Sequence, residues 1–140
     1  MATVTVERAI AAPPEAVFDA WLDPDQAGRW LFRTPDGTLE CCEIDARVGG
    51  GFRIDERRGE EIAEHYGEYV EIDRPSRLAF DFWTSFSDER TRVTIDIAPN
   101  GAGSRLKLTH EGVWEDWTEK TRQGWTTILG GLAQALEQET

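Results

Sequence analysis

The sequence predicts an α+β fold: a curved antiparallel sheet of about six to seven strands wraps around one long C-terminal helix, with two short helices after the first strand. Two patterns carry this prediction. From about residue 38 to His110, apolar and polar residues alternate with a period of two, which is typical of strands with one dry and one wet face. From Trp117 to Leu136, a mostly apolar stripe recurs every three or four residues, which is typical of an amphipathic helix.

The first elements of the chain are a strand and two short helices. Alternation predicts the strand over residues 2–10, and the prolines of Pro13–Pro14 suit the first turn of the helix that follows. In Asp23–Gln26, the aspartate can cap a second helix, the proline suits its first position, and the glutamine can reach back as in a capping box. This second helix is predicted to end near Trp30.

The remaining strands are predicted to form a meander with turn signals between several of them. Gly49–Gly51 and Asp73–Ser76 predict two turns, and Asn100–Gly101 is a strong hairpin signal. The alternating positions that define the strands lie near residues 42–48, 52–54, 62–72, 78–82, 93–97 and 106–110.

The C-terminal helix is predicted to cover the dry face of this sheet. Asp116 and Glu119 have the spacing of a capping box at its start. About 22 residues give a length of about 33 Å, which is enough to lie across a whole sheet. Gly130 and Gly131 lie inside the helix, so it either ends there or continues and allows a bend, a close approach to the sheet or room for a ligand. We favour the continuous helix.

The alternation also assigns an inner face, which the helix would close into an aromatic-lined cavity for a small molecule. A fully packed aromatic core is the alternative, although six tryptophans in 140 residues are more than a small core usually uses. The expected ligand contacts come from the inner face of the sheet, from the long helix, and from the places where the helices meet the cavity mouth. They are Trp30, Phe32, Cys42, Phe52, Phe80, Phe82, Ile95, Leu108, His110, Trp114, Trp117, Trp125 and Leu129.

His110 is a candidate for proton transfer inside such a cavity. Alternation places it on the inner face beside Leu108, where a histidine can orient a ligand or act as an acid or base near neutral pH. The favoured alternative is a structural histidine whose ring nitrogens are satisfied by the backbone or by the tryptophan region.

Glu68 is a second candidate, on a strand that can face either way. One register places His65, Gly67 and Tyr69 inside. The other places Glu64, Glu68, Val70 and Ile72 inside. The apolar pair Val70 and Ile72 favours this second register near the end of the strand, with Gly67 as a bulge that switches between the two registers. An inward Glu68 would be a buried carboxylate and a candidate base or ligand anchor, although a position at the rim is favoured.

The composition excludes several partners and chemistries. Acids number 27 and bases 15, and the net charge of −12 argues against nucleic acid and anionic membranes. No apolar run approaches the roughly 20 residues that span a bilayer, so no membrane insertion is expected.

Cys41 and Cys42 point to opposite faces of a strand and are expected to be free thiols. Zinc-type spacing, a phosphate-binding loop and a serine-hydrolase motif are absent, so neither a metal nor a cofactor is expected.

The length of 140 residues suits a single domain over residues 1–140. The N-terminal residues lack the basic and long apolar regions of a signal peptide, so we expect a cytoplasmic location.

Five sequence blocks resemble one known family. The order of elements resembles the helix-grip fold of the START and Bet v-like (SRPBCC) superfamily. The blocks at residues 12–30, 45–54, 67–82, 104–112 and 124–136 are similar to the bacterial family named for the activator of the heat-shock-protein-90 ATPase. The resemblance implies a pocket between sheet and long helix that holds an apolar or amphipathic small molecule. It specifies fold and family more strongly than function, because one fold hosts many functions.

Three functions follow as hypotheses. The leading one is a non-catalytic carrier or sensor that binds a hydrophobic small molecule. The second is an enzyme resembling polyketide cyclases or dehydratases, with His110 or Glu68 as proton shuttle. The third is a co-chaperone-like protein-interaction domain, which needs an exposed apolar patch. The oligomeric state stays open between monomer and homodimer.

Overall fold

The computed structural model describes residues 1–34, 36–85 and 87–137, with the backbone alone for residues 87 and 88. The elements follow the predicted order of one strand, two short helices, six strands and one long helix. They are β1 (Ala2–Ile10), α1 (Pro14–Leu22), α2 (Pro24–Trp30), β2 (Thr38–Ile44), β3 (Gly51–Arg58), β4 (Glu61–Asp73), β5 (Arg77–Thr84), β6 (Ser87–Asn100), β7 (Gly103–Val113), a 3-10 turn (Glu115–Trp117) and α3 (Thr118–Glu137).

All seven strands form one antiparallel sheet in the order β1-β7-β6-β5-β4-β3-β2. Strands β2 to β7 are a meander, and β1 returns to pair with β7 at the edge of the sheet. The two short helices lie between β1 and β2 in the chain, and α3 follows the last strand. This arrangement confirms the predicted helix-grip fold.

The start of α2 is held by the predicted cap. Asp23 accepts a hydrogen bond from the backbone N–H of Asp25 at 3.0 Å, and Pro24 occupies the first turn. Gln26 donates to the Asp23 side chain at 3.1 Å rather than accepting from its backbone as in a full capping box. These bonds lower the pKa of the Asp23 carboxyl, with Gln26 as the largest cause.

The apolar stripe of α3 faces the sheet from Trp125 onward. Trp125, Leu129, Leu132 and Leu136 are buried, and fully burying such a side chain contributes roughly 1.5–3 kcal/mol. The prediction that Trp117 also faces the sheet from the helix is wrong. The helix begins one residue later, and Trp117 lies in the preceding 3-10 turn with 53% of its surface exposed.

Strand β4 follows the first register up to Tyr69, and near its end Ile72 packs against the core, as the apolar end of the strand predicts. His65, Gly67 and Tyr69 point inward, and the irregularity in pairing falls between Tyr69 and Glu71 rather than at Gly67. Gly67 instead makes room for Phe52, since a Cβ atom at Gly67 would lie 2.0 Å from the Phe52 ring.

The inward position considered for Glu68 is therefore wrong. Its side chain is half-exposed on the outer face of the sheet, with a carboxylate oxygen 3.7 Å from an Arg90 Nη1 nitrogen.

Helix α3 is continuous through Gly130 and Gly131, as predicted. A Cβ atom at Gly131 would lie 3.6 Å from the Trp30 Cβ atom, which is ordinary contact, so alanine fits there without displacing α2. Because alanine favours a helix interior over glycine, Gly131→Ala is expected to raise the free energy of unfolding by about 0.5–1 kcal/mol, measured by urea denaturation. A loss of stability would show that the contact with Trp30 tolerates no added methyl group.

None of the helices among the described residues is both long and apolar enough to cross a membrane.

Candidate functional site

A cleft of about 530 Å³ opens where the ends of the central strands meet the entry to α3. Strand β7 has a bulge at this cleft. Gly112 has no pairing partner on β1, and its φ of 86° is a conformation that glycine adopts readily. The walls combine large aromatic rings with hydroxyl-bearing and a few other polar side chains. They are Phe82, Trp83, Thr84, Glu89, Thr91, His110, Gly112, Val113, Trp114, Trp117 and Thr121. We call this site the tryptophan cleft.

Two tryptophans stand at the mouth of the tryptophan cleft with unusual exposure. Trp114 is 55% exposed and Trp117 is 53% exposed, whereas Trp125 is buried. The ammonium group of Lys120 lies 4.9 Å from the centre of the Trp117 ring. Large apolar rings left in water are a typical sign of a binding surface, because each gains free energy when a partner covers it.

A wall of stacked rings forms the inner end of the tryptophan cleft. Phe32 stacks on Phe82 with ring centres 5.1 Å apart, and on His65 at 4.4 Å. The Trp125 ring packs against both phenylalanines at 5.7 and 6.4 Å. The space between sheet and helix is therefore filled by rings at this point, and the open volume lies to either side of them. We call these residues the aromatic wall.

Both ring nitrogens of His110 form hydrogen bonds at the edge of the aromatic wall. Its Nδ1 atom accepts a hydrogen bond from the Trp125 indole N–H at 3.0 Å. An indole N–H can only donate, so Nδ1 carries no proton and Nε2 carries the proton of the neutral ring. Nε2 therefore donates to the Thr91 hydroxyl oxygen at 2.7 Å, and that hydroxyl donates to the Phe82 carbonyl at 3.3 Å. These bonds agree with the favoured alternative from the sequence, in which the tryptophan region satisfies the histidine ring.

Burial also lowers the pKa of His110 to about 4. The cause is the loss of water around the charged form of the ring. The neutral ring of His110 gives its one lone pair to Trp125, so it has no free acceptor with which to take a proton from a ligand.

A second groove, of about 380 Å³, lies on the other side of the aromatic wall. Phe32 and His65 form part of its inner surface, and α3 forms one side. His65 donates from Nδ1 to the Ile54 carbonyl at 3.1 Å, and burial lowers the pKa of this histidine below its usual value. The lining includes three cationic side chains, so we call this site the basic groove. These are Arg33, Arg58 and Lys120.

A fully buried carboxylate, Glu56, anchors the loop that carries Phe32. It accepts hydrogen bonds from the Arg33 Nε at 3.2 Å, the Arg58 Nε at 2.7 Å, and the Thr34 backbone N–H and hydroxyl at 2.7 and 3.0 Å. Burial acts to raise the pKa of the Glu56 carboxyl, but the hydrogen bonds from Arg58 and Thr34 outweigh it and lower the pKa.

The loop lies directly against the Glu56 carboxylate. A Cβ atom at Gly37 would approach the Glu56 Cδ atom to 2.2 Å, so only glycine fits at this contact. Phe32 has a φ of 55°, a left-handed backbone conformation that is uncommon outside glycine. The bonds to Glu56 therefore hold Phe32 in its place in the aromatic wall.

Glu56 and its partners are not among the site residues predicted from the sequence, although one signal in the sequence indicates Glu56. Phe52, Ile54 and Glu56 alternate along β3, so the period that predicts the first two inside also places this carboxylate inside. The partners Arg33 and Thr34 come from a loop whose position no periodicity predicts.

The structure brings some of the predicted ligand contacts together and separates others. Phe82, His110, Trp114 and Trp117 line the tryptophan cleft, and Phe32 and Trp125 belong to the aromatic wall. The other predicted contacts lie away from this cleft. All of them are buried in the core except the cysteine, which is partly buried and packs against the core. They are Trp30, Cys42, Phe52, Phe80, Ile95, Leu108 and Leu129.

Two of these residues, Trp30 and Cys42, have their nearest partners outside the tryptophan cleft. Trp30 was expected at the cavity mouth but is buried, with its ring 4.7 Å from that of Trp21 in an edge-to-face pair. Cys41 and Cys42 are free thiols, as predicted, and the Cys42 thiol donates to the Pro24 carbonyl at 3.4 Å. Burial raises the pKa of both thiols.

Among the described residues, no three histidine, cysteine or acidic side chains gather in a way that could hold a metal ion.

Comparison with solved structures shows the same fold in several bacterial proteins. A protein from Chromobacterium violaceum is 28% identical, with a TM-score of 0.85 and 96% of each chain covered. The AHSA1-like protein from Aeromonas hydrophila is 24% identical, with a TM-score of 0.87, over 99% of this chain and 94% of its own. A protein from Nitrosomonas europaea is 19% identical, with a TM-score of 0.83, over 99% and 96%. No functionally curated protein matches the chain.

The family profile described as "Activator of Hsp90 ATPase homolog 1-like protein" matches residues 11–137. This range includes the two short helices, six of the seven strands and all of α3. Together with the shared fold, it shows that the chain belongs to the family of activator of Hsp90 ATPase homolog 1-like proteins within the SRPBCC superfamily.

Proposed function

We propose that this protein is a single-domain cytoplasmic carrier or sensor that binds a hydrophobic or amphipathic small molecule in the tryptophan cleft. The observation that carries the proposal is the exposure of Trp114 and Trp117 at the mouth of a cleft of about 530 Å³. That volume lies within the range of about 300–1,000 Å³ that is typical of small-molecule sites. A flat apolar ligand seated between the two rings would remove apolar surface from water at roughly 25 cal/mol per Å².

The hydrogen bonding of His110 supports binding over catalysis. Both ring nitrogens are already bonded, and its low pKa keeps the ring neutral near pH 7. Glu68, the other candidate for proton transfer, is on the opposite face of the sheet. The Thr121 hydroxyl in the cleft suits the orientation of a polar atom of a ligand.

A protein-interaction role is the second candidate, and the same exposed rings favour it. Trp114 and Trp117 lie beside the chain start, where the Met1 ammonium group is 3.8 Å from a Glu115 carboxylate oxygen and the Met1 residue is 70% exposed. Native mass spectrometry of the freshly purified protein separates the two roles. A stoichiometric small apolar molecule supports the carrier, whereas a bare mass lowers the carrier proposal and favours the protein-interaction role.

Replacing Trp117 by alanine tests the cleft directly. Because this side chain is half-exposed, the variant is expected to keep its stability but to bind the uncharged apolar dye N-phenyl-1-naphthylamine about tenfold more weakly. Fluorescence titration measures the affinity. Ile62→Ala is the matched control, since it shortens an exposed apolar residue on β4 away from the cleft. Equal affinities for wild type and Trp117→Ala would contradict the proposed site.

A further inference from the structure

The basic groove differs in charge from the rest of the molecule. The whole chain has a net charge of −12, yet Arg33, Arg58 and Lys120 line this groove. Among the described residues that line it, none is acidic. The adjacent Glu56 carboxylate is buried and already bonded to both arginines. Positive potential is therefore concentrated at one concave place on an acidic protein.

Two of the three cations have donors to offer a ligand. Among the described residues, Arg58 donates only its Nε–H to the protein, so its two Nη groups are free to bind an anion. Lys120 has no carboxylate partner among the same residues, and its ammonium group contacts only the face of the Trp117 ring, so its N–H donors remain available to a ligand. Arg33 uses Nε, Nη1 and Nη2 for Glu56, the Gly28 carbonyl and the Gly37 carbonyl, so it contributes charge and rigidity rather than direct contacts.

The shape of the basic groove also suits a small ligand. Its volume is about 380 Å³, and Phe32 and His65 supply an aromatic inner surface. Gly124 of α3 lies on its side with nothing within 4 Å of an added Cβ atom, so the space above this glycine is open. The hydrogen bond from the Arg58 Nε to Glu56 restrains the guanidinium before any ligand arrives, which lowers the entropy cost of binding.

We propose that the basic groove is a binding site for the oxyanion group, carboxylate or phosphate, of a small organic molecule, contacted by Arg58 and Lys120 and lying against the rings of Phe32 and His65. An Arg guanidinium pairs with two oxygens of such a group, and a Lys ammonium adds a mobile charge. The site lies across the aromatic wall from the tryptophan cleft, and Lys120 borders both sites, but the proposal does not depend on the ligand proposed for the cleft.

Nuclear magnetic resonance titration with inorganic phosphate and with octanoate tests this site. Binding in the basic groove is expected to shift the His65 ring resonances with a Kd of about 1 mM or tighter, while His110 reports separately on the tryptophan cleft. Shifts of His65 with both probes indicate a general oxyanion site. Shifts with octanoate alone indicate an amphipathic carboxylate, and shifts with phosphate alone indicate a phosphate ligand. Unchanged His65 resonances with both probes would overturn the proposal.

Charge variants on α3 supply the decisive comparison. Gly124→Glu places a carboxylate in the open space of the groove and is expected to weaken binding about tenfold relative to the neutral Gly124→Gln of the same size. Lys120→Gln is expected to weaken binding about threefold, and Arg122→Gln, which removes a cation paired with Glu119 outside the groove, is expected to have no effect. Equal affinities of the two Gly124 variants for the probe would contradict the proposed site. Equal losses of affinity in Lys120→Gln and Arg122→Gln would contradict it as well.

Discussion

Glu56→Ala is expected to lower the free energy of unfolding by about 3 kcal/mol. The substitution removes a fully buried carboxylate and leaves two arginines and the Thr34 backbone N–H without their acceptor. Breaking such a buried pair on one side costs more than the pair itself contributes, because the remaining charges are left uncompensated. Urea denaturation followed by tryptophan fluorescence measures the loss.

A surface ion pair supplies the control for Glu56. The Glu40 carboxylate accepts from the Arg57 Nε at 2.6 Å, but both side chains are more than a third exposed. Solvent screens such a pair, so Glu40→Ala is expected to cost less than about 1 kcal/mol. Comparable losses for the two variants would show that the burial of Glu56 contributes nothing to the stability of the Phe32 loop.

The stability of the protein is expected to fall as the pH drops from about 6.5 to about 4, in part through His110. The unfolded histidine titrates near 6.5 and the folded one at about 4. Above pH 6.5 both states are neutral, and the contribution of His110 is complete. Between the two pKa values only the unfolded chain binds the proton, so the free energy of unfolding falls by about 1.4 kcal/mol per pH unit, or about 3 kcal/mol in total.

Two measurements isolate the part due to His110. Its ring resonances are expected to show no titration above pH 5, because protonation at Nδ1 would break the bond from Trp125. His110→Gln removes the titrating ring and keeps an amide oxygen that can accept from the indole. The pH slope of its unfolding free energy is expected to be smaller by one proton over the same range. An ordinary titration of His110 near pH 6.5 would contradict the buried, neutral ring.

The candidate site was only partly predictable from the sequence. Alternation placed Phe82 and His110 on one inner face, because the side-chain period of a strand is two whatever lies around it. Trp117 was expected at the site for a different reason, as part of the helical stripe. It reaches the cleft only because the helix begins after it and a 3-10 turn exposes its ring.

The facing of β4 shows where local pattern stops being sufficient. Tyr69 and Ile72 are both apolar and three residues apart, so no single alternation accommodates both, and the position of the irregularity decides the facing of the whole strand. The Phe52 ring occupies the space over Gly67 and places His65 inside. That contact is between residues of two strands, so the pattern along one strand cannot predict it.

By itself the sequence determined the order of the elements, the inner faces of most strands and the family, because each depends on spacing along the chain. Only the tertiary structure decided that the aromatic wall fills the middle of the predicted cavity, that His110 is locked by Trp125 and Thr91, and that Glu56 gathers two arginines. These features join residues distant in the chain. Their geometry follows from packing between distant segments, which a local periodicity of the sequence does not predict.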